Sequence, residues 1–344
     1  MRQHTGGRNA VLAALLICFV LTGAASRAAT AAPQDSRWGA GYFPNVPLIT
    51  QDGKTVRFYD DLLKGKTVAV NVMYTSCRDE CPLETARLVQ VQKMLGDLVG
   101  NDIFFYSISI DPKHDTPAVL KEYAEKFHVG PGWLFLTGKT EDITLVSKKL
   151  GLSSATDTRN RDGHQPSLMI GKEATGQWMR QSAEDNPRFL ASVIGNFVGK
   201  GGQLRNYAEA RALPALDEGH HIFQMQCAAC HTIGEGDRVG PDLLGVTRVR
   251  DRAWLARFIA TPDRVLAEKD PIAMALFAKY RNVAMPNLRL GRDDVEALLK
   301  YMETETVARQ GQAATQSMSA SAVENGSGHE HHHHHHHHGT DKMD

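Results

Sequence analysis

Apolar and polar positions divide the chain into stretches of different period. Residues 67–74 form a β-branched, apolar run that reads as a buried strand. Pro82 then opens a helical stretch to about residue 97, since proline favours a first helical turn. Residues 103–110 are the next strand, and Asp115, Thr116 and Pro117 are a helix-start signal before 118–127. A third strand at 133–136 and a helix at 141–150 follow. Residues 167–170 and 177–180 flank a glycine-containing turn and predict a hairpin, and 186–197 is a closing helix. Strand–helix alternation ended by a hairpin predicts an α/β domain with a mixed sheet flanked by helices. From Asp217 to about Val307 strand signals vanish and helical ones dominate, which predicts an all-α domain.

The remaining stretches punctuate this pattern. Arg2 and Arg8 precede the apolar run 10–21, and Ala29-Thr30-Ala31 offers a cleavage site, so 1–31 reads as an export signal. The uncharged stretch from Asn9 to Ser26 has 18 residues. It is marginal against the roughly 20 that a spanning helix needs. The expected organisation is a signal at 1–31, an α/β domain at 32–200, a linker at 201–216, a helical domain at 217–307 and a tail at 308–344. The tail, rich in Ala, Ser, Gln and Gly with few apolar residues, is expected to be disordered. It contains the unbroken run His331 to His338, which reads either as a purification tag or as a native metal-scavenging segment. Export places the mature chain in the periplasm, with a membrane association only if residues 9–26 stay uncleaved.

Charge narrows the partners. The chain holds 39 basic and 39 acidic residues, which gives no electrostatic reason to expect nucleic acid. Cysteine use narrows the chemistry. Cys18 lies in the signal, and the other four form two close pairs, Cys77 with Cys81 and Cys227 with Cys230. Close pairs in an exported chain point to redox or metal chemistry rather than to a disulfide scaffold.

Cys227-Ala-Ala-Cys230-His231 is the C-x-x-C-H pattern of covalent haem attachment, in which two thiols add to the haem and the adjacent histidine becomes the proximal ligand. A helix-like segment leads into it, Gly240-Pro241-Asp242-Leu243 follows, and Ala284-Met285-Pro286-Asn287-Leu288 sits on a loop before the last helix. With these motifs the segment resembles a class I cytochrome c. The resemblance implies one haem c, Met285 as the second axial ligand, and a bond from the His231 ring to the Pro241 carbonyl. A thioether opposite histidine suits electron transfer. Met274 is the rival sixth ligand, but it lies on an apolar helix face where methionine more often fills a core. His220 and His221 read as surface or packing residues.

Thr75-Ser76-Cys77-Arg78-Asp79-Glu80-Cys81-Pro82 places two sulfurs four residues apart between a strand and a helix. If the helix begins within the motif, both lie on one face and converge. A helix N-terminus also favours the thiolate. A disulfide closing so small a loop would stabilise little, so a purely structural role is unpersuasive. His164 precedes the predicted hairpin, and Pro166 starts its first strand. His114 and His128 read as surface residues, and Asp79 and Glu80 as solvated carboxylates.

Together with Asp111-Pro112-Lys113-His114-Asp115-Thr116-Pro117 and with His164, the paired cysteines make residues 43–197 resemble the Sco (SenC) family. Its members are thioredoxin-fold copper-binding proteins that assist assembly of the copper centre of cytochrome oxidase. The resemblance implies Cys77 and Cys81 as thiolate ligands and His164 as the imidazole ligand of copper. Soft thiolates select Cu(I), and a nitrogen donor lets the site hold Cu(II). Three functions stay open. In the first the chain is a copper chaperone with its own electron carrier, serving an oxidase subunit or another copper enzyme. The second is a thiol–disulfide oxidoreductase whose catalytic thiols are Cys77 and Cys81, with the haem linked to a respiratory donor or acceptor. In the third it is an electron-transfer module whose first domain only docks a partner.

Overall fold

The computed structural model of the protein describes residues 38–77, 80–152, 166–200 and 217–326. The export signal, His164, the linker and the histidine run fall outside these residues. Among the described residues, seven strands form one mixed sheet in the order β2-β1-β5-β4-β3-β6-β7. They are β1 Pro47–Thr50, β2 Thr55–Arg57, β3 Thr67–Met73, β4 Phe104–Ser109, β5 Trp133–Gly138, β6 Ser167–Lys172 and β7 Gln177–Ser182. The pairs β3–β4 and β4–β5 are parallel, and the other neighbours are antiparallel.

The central strand explains its own sequence. All seven residues of β3 are buried. Val68, Val70 and Val72 point into one core with Phe58, Tyr106 and Ile143, while Ala69 and Met73 join a second core with Leu88 and Phe135 on the other face. A strand covered on both faces reads as a continuous apolar run. The helices of this part are α1 Glu80–Leu95, α2 Pro117–Lys126, α3 Thr140–Leu150 and α4 Pro187–Val198. Thr116 caps α2 by accepting from Val119 N at 3.4 Å, with Pro117 at the first position. The β1–β2 hairpin was not anticipated, although its signal was present: Asp52-Gly53 sits in the turn, with Gly53 at φ 78°.

The C-terminal part is helical, with α5 Glu218–Ile222, α6 Val246–Val249, α7 Arg252–Ala260, α8 Pro262–Ala267, α9 Pro271–Lys279 and α10 Arg292–Gly326. Its core joins Ile222 and Phe223 to Leu255, Val295, Leu298, Leu299 and Met302. Helices α5 and α10 cross so closely that a Cβ on Gly219 would stand 2.1 Å from the Ala297 carbonyl oxygen, so only glycine fits there.

Helix α10 corrects one expectation. The tail, expected to be disordered from residue 308, continues as helix to Gly326. Few apolar residues argue against packing, but they do not stop an already nucleated helix from propagating through good helix formers. The first turn beyond residue 307 is also tied down. Arg309 pairs with Glu305 at 2.8 Å and with Glu235 at 3.4 Å, and Arg248 bonds Gln310 at 2.6 Å. Among the described residues no helix is long and apolar enough to cross a membrane.

Candidate redox and haem site

The thiol pair sits where β3 ends. Residues after Met73 turn sharply, with Cys77 N donating to the Tyr74 carbonyl at 3.2 Å, and α1 starts at Glu80. Only Cys81 therefore lies on the helix. Cys77 precedes it, so the two sulfurs do not share a helix face as the four-residue spacing suggested. They meet by another route: Cys81 N, in the first turn, donates to Cys77 Sγ at 3.5 Å. Cys77 is half-buried and Cys81 is buried. A hydrogen bond to Cys77, reinforced by burial, holds the Cys81 thiol far above its ordinary range. Both sulfurs lie beside a helix N-terminus, which favours a thiolate.

An acidic residue fixes this turn. Asp115 is fully buried. It accepts from Thr75 N at 3.1 Å, from Thr75 Oγ1, and from Ser109 Oγ at 2.6 Å. The sequence offered Asp115 as part of a helix-start signal and of the Asp111–Pro117 motif, without a role of its own, whereas Thr116 makes the cap and Asp115 turns inward beneath the thiol loop. Tyr123 was also missed. Its buried hydroxyl donates to the Cys81 carbonyl at 3.3 Å and lies 3.0 Å from Thr85 Oγ1. His114 is exposed and bonds Asp111 at 2.8 Å, and His128 is exposed as well. Glu80 is half-buried, and Asp79 lies outside the described residues.

Glu84, one turn beyond Cys81, is a buried carboxyl that periodicity could not flag. Asn71 Nδ2 donates to it at 2.8 Å, Ser107 Oγ donates to Asn71 Oδ1 at 2.7 Å, and Trp133 Nε1 donates to Ser107 at 2.9 Å. Burial pushes its pKa up to about 8 from an ordinary 4.5, against the pull of the Asn71 bond. The folded chain therefore keeps a proton that the unfolded chain has released, and stability falls as pH rises from 4.5 towards 8. Glu84→Gln is expected to leave the melting midpoint unchanged near pH 4.5. It should raise stability by on the order of 3 kcal/mol at pH 7.5, as followed by circular dichroism melts. An equal effect at both pH values would contradict a proton held by Glu84.

In the helical part, α5 runs into a wider π-helical turn, Phe223–Cys227. Cys230 N and His231 N both donate to the Cys227 carbonyl, at 3.0 and 2.9 Å, which brings the histidine round beneath the two sulfurs. His231 Nδ1 lies 2.9 Å from the Pro241 carbonyl oxygen. A carbonyl only accepts, so Nδ1 carries the proton and the Nε2 lone pair is left for a metal. Burial lowers the His231 pKa, which keeps the ring neutral. Gly240 packs against the ring, where a Cβ would stand 2.5 Å from Cε1. Burial pushes the Cys227 and Cys230 thiols up to about 12, unlike the reactive thiolate of an exchanging C-x-x-C pair.

Cys227, Cys230, His231 and Met285 line one cavity of about 360 Å³, with Trp254 and Phe277 among its mainly apolar walls. Sulfurs, a neutral imidazole with its outer nitrogen anchored, a thioether in the same cavity and apolar walls fit a covalently held haem. Met274 lines a different cleft. It is 41% exposed on α9, beside Cys77, Thr75 and Phe277, and so is neither core filler nor a wall of the haem cavity. The ring of His220 lies 5.2 Å from that of Tyr301.

Comparison with known proteins follows the same division. Residues 41–181 match the SCO1/SenC family and residues 216–306 match cytochrome c. The chain is 38% identical over 157 residues to the SCO2-like protein RC0895 of Rickettsia conorii, covering 43% of this chain and 73% of that protein. The chain belongs to the SCO1/SenC family. It is also 37% identical over 123 residues to a SCO2-like protein of Rickettsia felis, covering 36% of this chain and 57% of that relative. Its C-terminal part is 49% identical to a cytochrome c domain of Pseudomonas putida, over 28% of this chain and 94% of that domain, with a TM-score of 0.26. This Sco protein therefore combines a thioredoxin-like fold with a cytochrome c domain, whose cofactor is a covalent haem c.

Proposed function

We propose that the chain is a copper-binding redox chaperone with a built-in electron carrier. In this reading Cys77, Cys81 and His164 hold copper for delivery to the copper centre of an oxidase subunit or another copper enzyme. Cys227 and Cys230 attach the haem, His231 and Met285 ligate its iron, and the Pro241 carbonyl orients His231. The carrying observation is the thiol turn: two sulfurs brought together after a buried strand, on a loop anchored by Asp115. Soft thiolates suit Cu(I), and the third, nitrogen donor extends the site to Cu(II).

The haem, when bound, supplies one-electron transfer. The residues of the chain perform the rest. Cys77 and Cys81 offer the sulfur donors, and Asp115 holds the turn in place. Electrons reach or leave the haem through a respiratory partner. The site of action in this proposal is the periplasm, reached by export of the chain.

His164→Ala is expected to lower Cu(II) affinity by at least about a hundredfold and Cu(I) affinity by about tenfold or less, measured by competition with chelators. An unchanged Cu(II) spectrum in that variant removes His164 from the site. A second reading, a haem-linked thiol–disulfide oxidoreductase, draws on the closeness of the two cysteines in the thiol turn. It predicts rapid exchange with disulfide substrates by copper-free protein, which the copper reading does not need.

A further inference from the structure

Helix α1 serves both parts of the molecule. Twelve of its sixteen residues are buried, which a helix covered on one face alone would not show. The sheet and α4 cover one side, and the haem-attachment segment takes part of the other. Arg87, only 5% exposed, donates through Nη1 to the Glu184 carbonyl and through Nη2 to the Met225 carbonyl, just before Cys227. One turn on, Gln90 Nε2 donates to the Ala228 carbonyl, between the two haem-attaching cysteines, at 2.6 Å. Asn186, which caps α4, reaches Met225 Sδ at 3.6 Å. Ala229, Cys230, Val239, Val283 and Leu288 of the cytochrome part join the same apolar core as Cys81 and Leu88. Pro82, next to Cys81, lines the haem cavity.

We propose that the cytochrome is docked on α1 rather than carried loosely on a linker, and that Arg87 is the positioning residue that fixes the haem-attachment segment and sets the haem potential from the other domain. Two carbonyls of that segment find partners on α1, that of Ala228 shared with Arg238, and both bonds are partly buried, which raises the cost of leaving a donor or acceptor unpaired. The guanidinium keeps its charge at any pH the protein meets, and it is bonded to the segment that leads into Cys227. A fixed positive charge disfavours ferric haem, which carries one positive charge more than ferrous haem, so Arg87 raises the potential. The helix that presents Cys81 at its first turn thereby holds the haem-attachment segment about two turns further along. This inference rests on the haem reading of the C-terminal part and is independent of copper.

The test uses the full, haem-loaded, copper-free chain poised with redox mediators. Arg87→Met is expected to lower the ferrous-to-ferric ratio at fixed applied potential about tenfold, a fall of about 59 mV for one electron. The methionine-ligated absorption spectrum should be retained, so that ligand loss is not the cause. Arg87→Lys, which keeps the charge, should recover most of the shift, an outcome that loss of packing alone would not give. If Arg87→Met fails to load haem, Arg87→Gln, which keeps an amide donor, carries the same measurement. A potential equal to that of the unaltered chain in either neutral variant, or a shift that lysine does not recover, would overturn the proposal. Neither result bears on whether Cys77 and Cys81 bind copper.

Discussion

Replacing Cys81 with serine is expected to abolish Cu(I) retention by the reduced, haem-loaded chain while leaving its haem content unchanged. The size of the effect follows from the donor. A hydroxyl is a hard ligand that keeps its proton near neutral pH, and Cu(I) selects soft thiolates. Loss of an outer-sphere partner already costs about tenfold to a hundredfold in metal affinity, and loss of a direct ligand should exceed that. Cys81 is buried in the first turn of α1, so no surface group can swing in to replace it. Serine fills nearly the same space, and the docking bonds from Arg87 and Gln90 lie further along the helix. Haem absorption is therefore the internal control. Cu(I) affinity within tenfold of the unaltered chain would exclude Cys81 as a ligand.

The second large effect concerns Met285. Met285→Ala should keep the haem attached, because Cys227, Cys230 and His231 are untouched, but should remove the thioether from its cavity. The measurable consequences are loss of the methionine-to-iron absorption and a fall in potential on the order of 0.1 V or more, within the ~0.8 V span that axial ligands command. Met274→Ala is the matched control. Met274 lines the cleft beside Cys77 and not the haem cavity, so it should leave spectrum and potential unchanged. The reverse result, with Met274 controlling the spectrum, would reassign the sixth ligand.

The sequence read most clearly where one local rule governs several residues. The β-branched run of β3 announced a strand covered on both faces, and C-x-x-C-H announced haem chemistry by itself, because covalent attachment needs those residues at that spacing. What stayed hidden depends on contacts between distant segments. Asp115 looks like a capping residue until the fold brings Thr75 and Ser109 around it. Glu84 lies on a helix whose apolar period is weak, and only burial beneath Asn71 shows it to be a neutral carboxyl. The same weak period concealed the docking role of α1, since a helix buried on two sides has no polar face to mark it. The extension of α10 was missed because composition reports on packing, whereas an existing helix needs only good helix formers to continue.

If the thiol turn is a copper site carried on the same chain as a haem, copper and iron should be held in equal amounts. The reduced, haem-loaded chain, with the His331–His338 run removed so that it cannot contribute, is equilibrated with Cu(I) and a competing chelator and then analysed for both metals. One copper per iron is expected in this chain and none in the Cys77→Ser, Cys81→Ser double variant. Full iron content with no copper in the unaltered thiol site, or equal copper in both proteins, would rule out a copper site at the thiol turn.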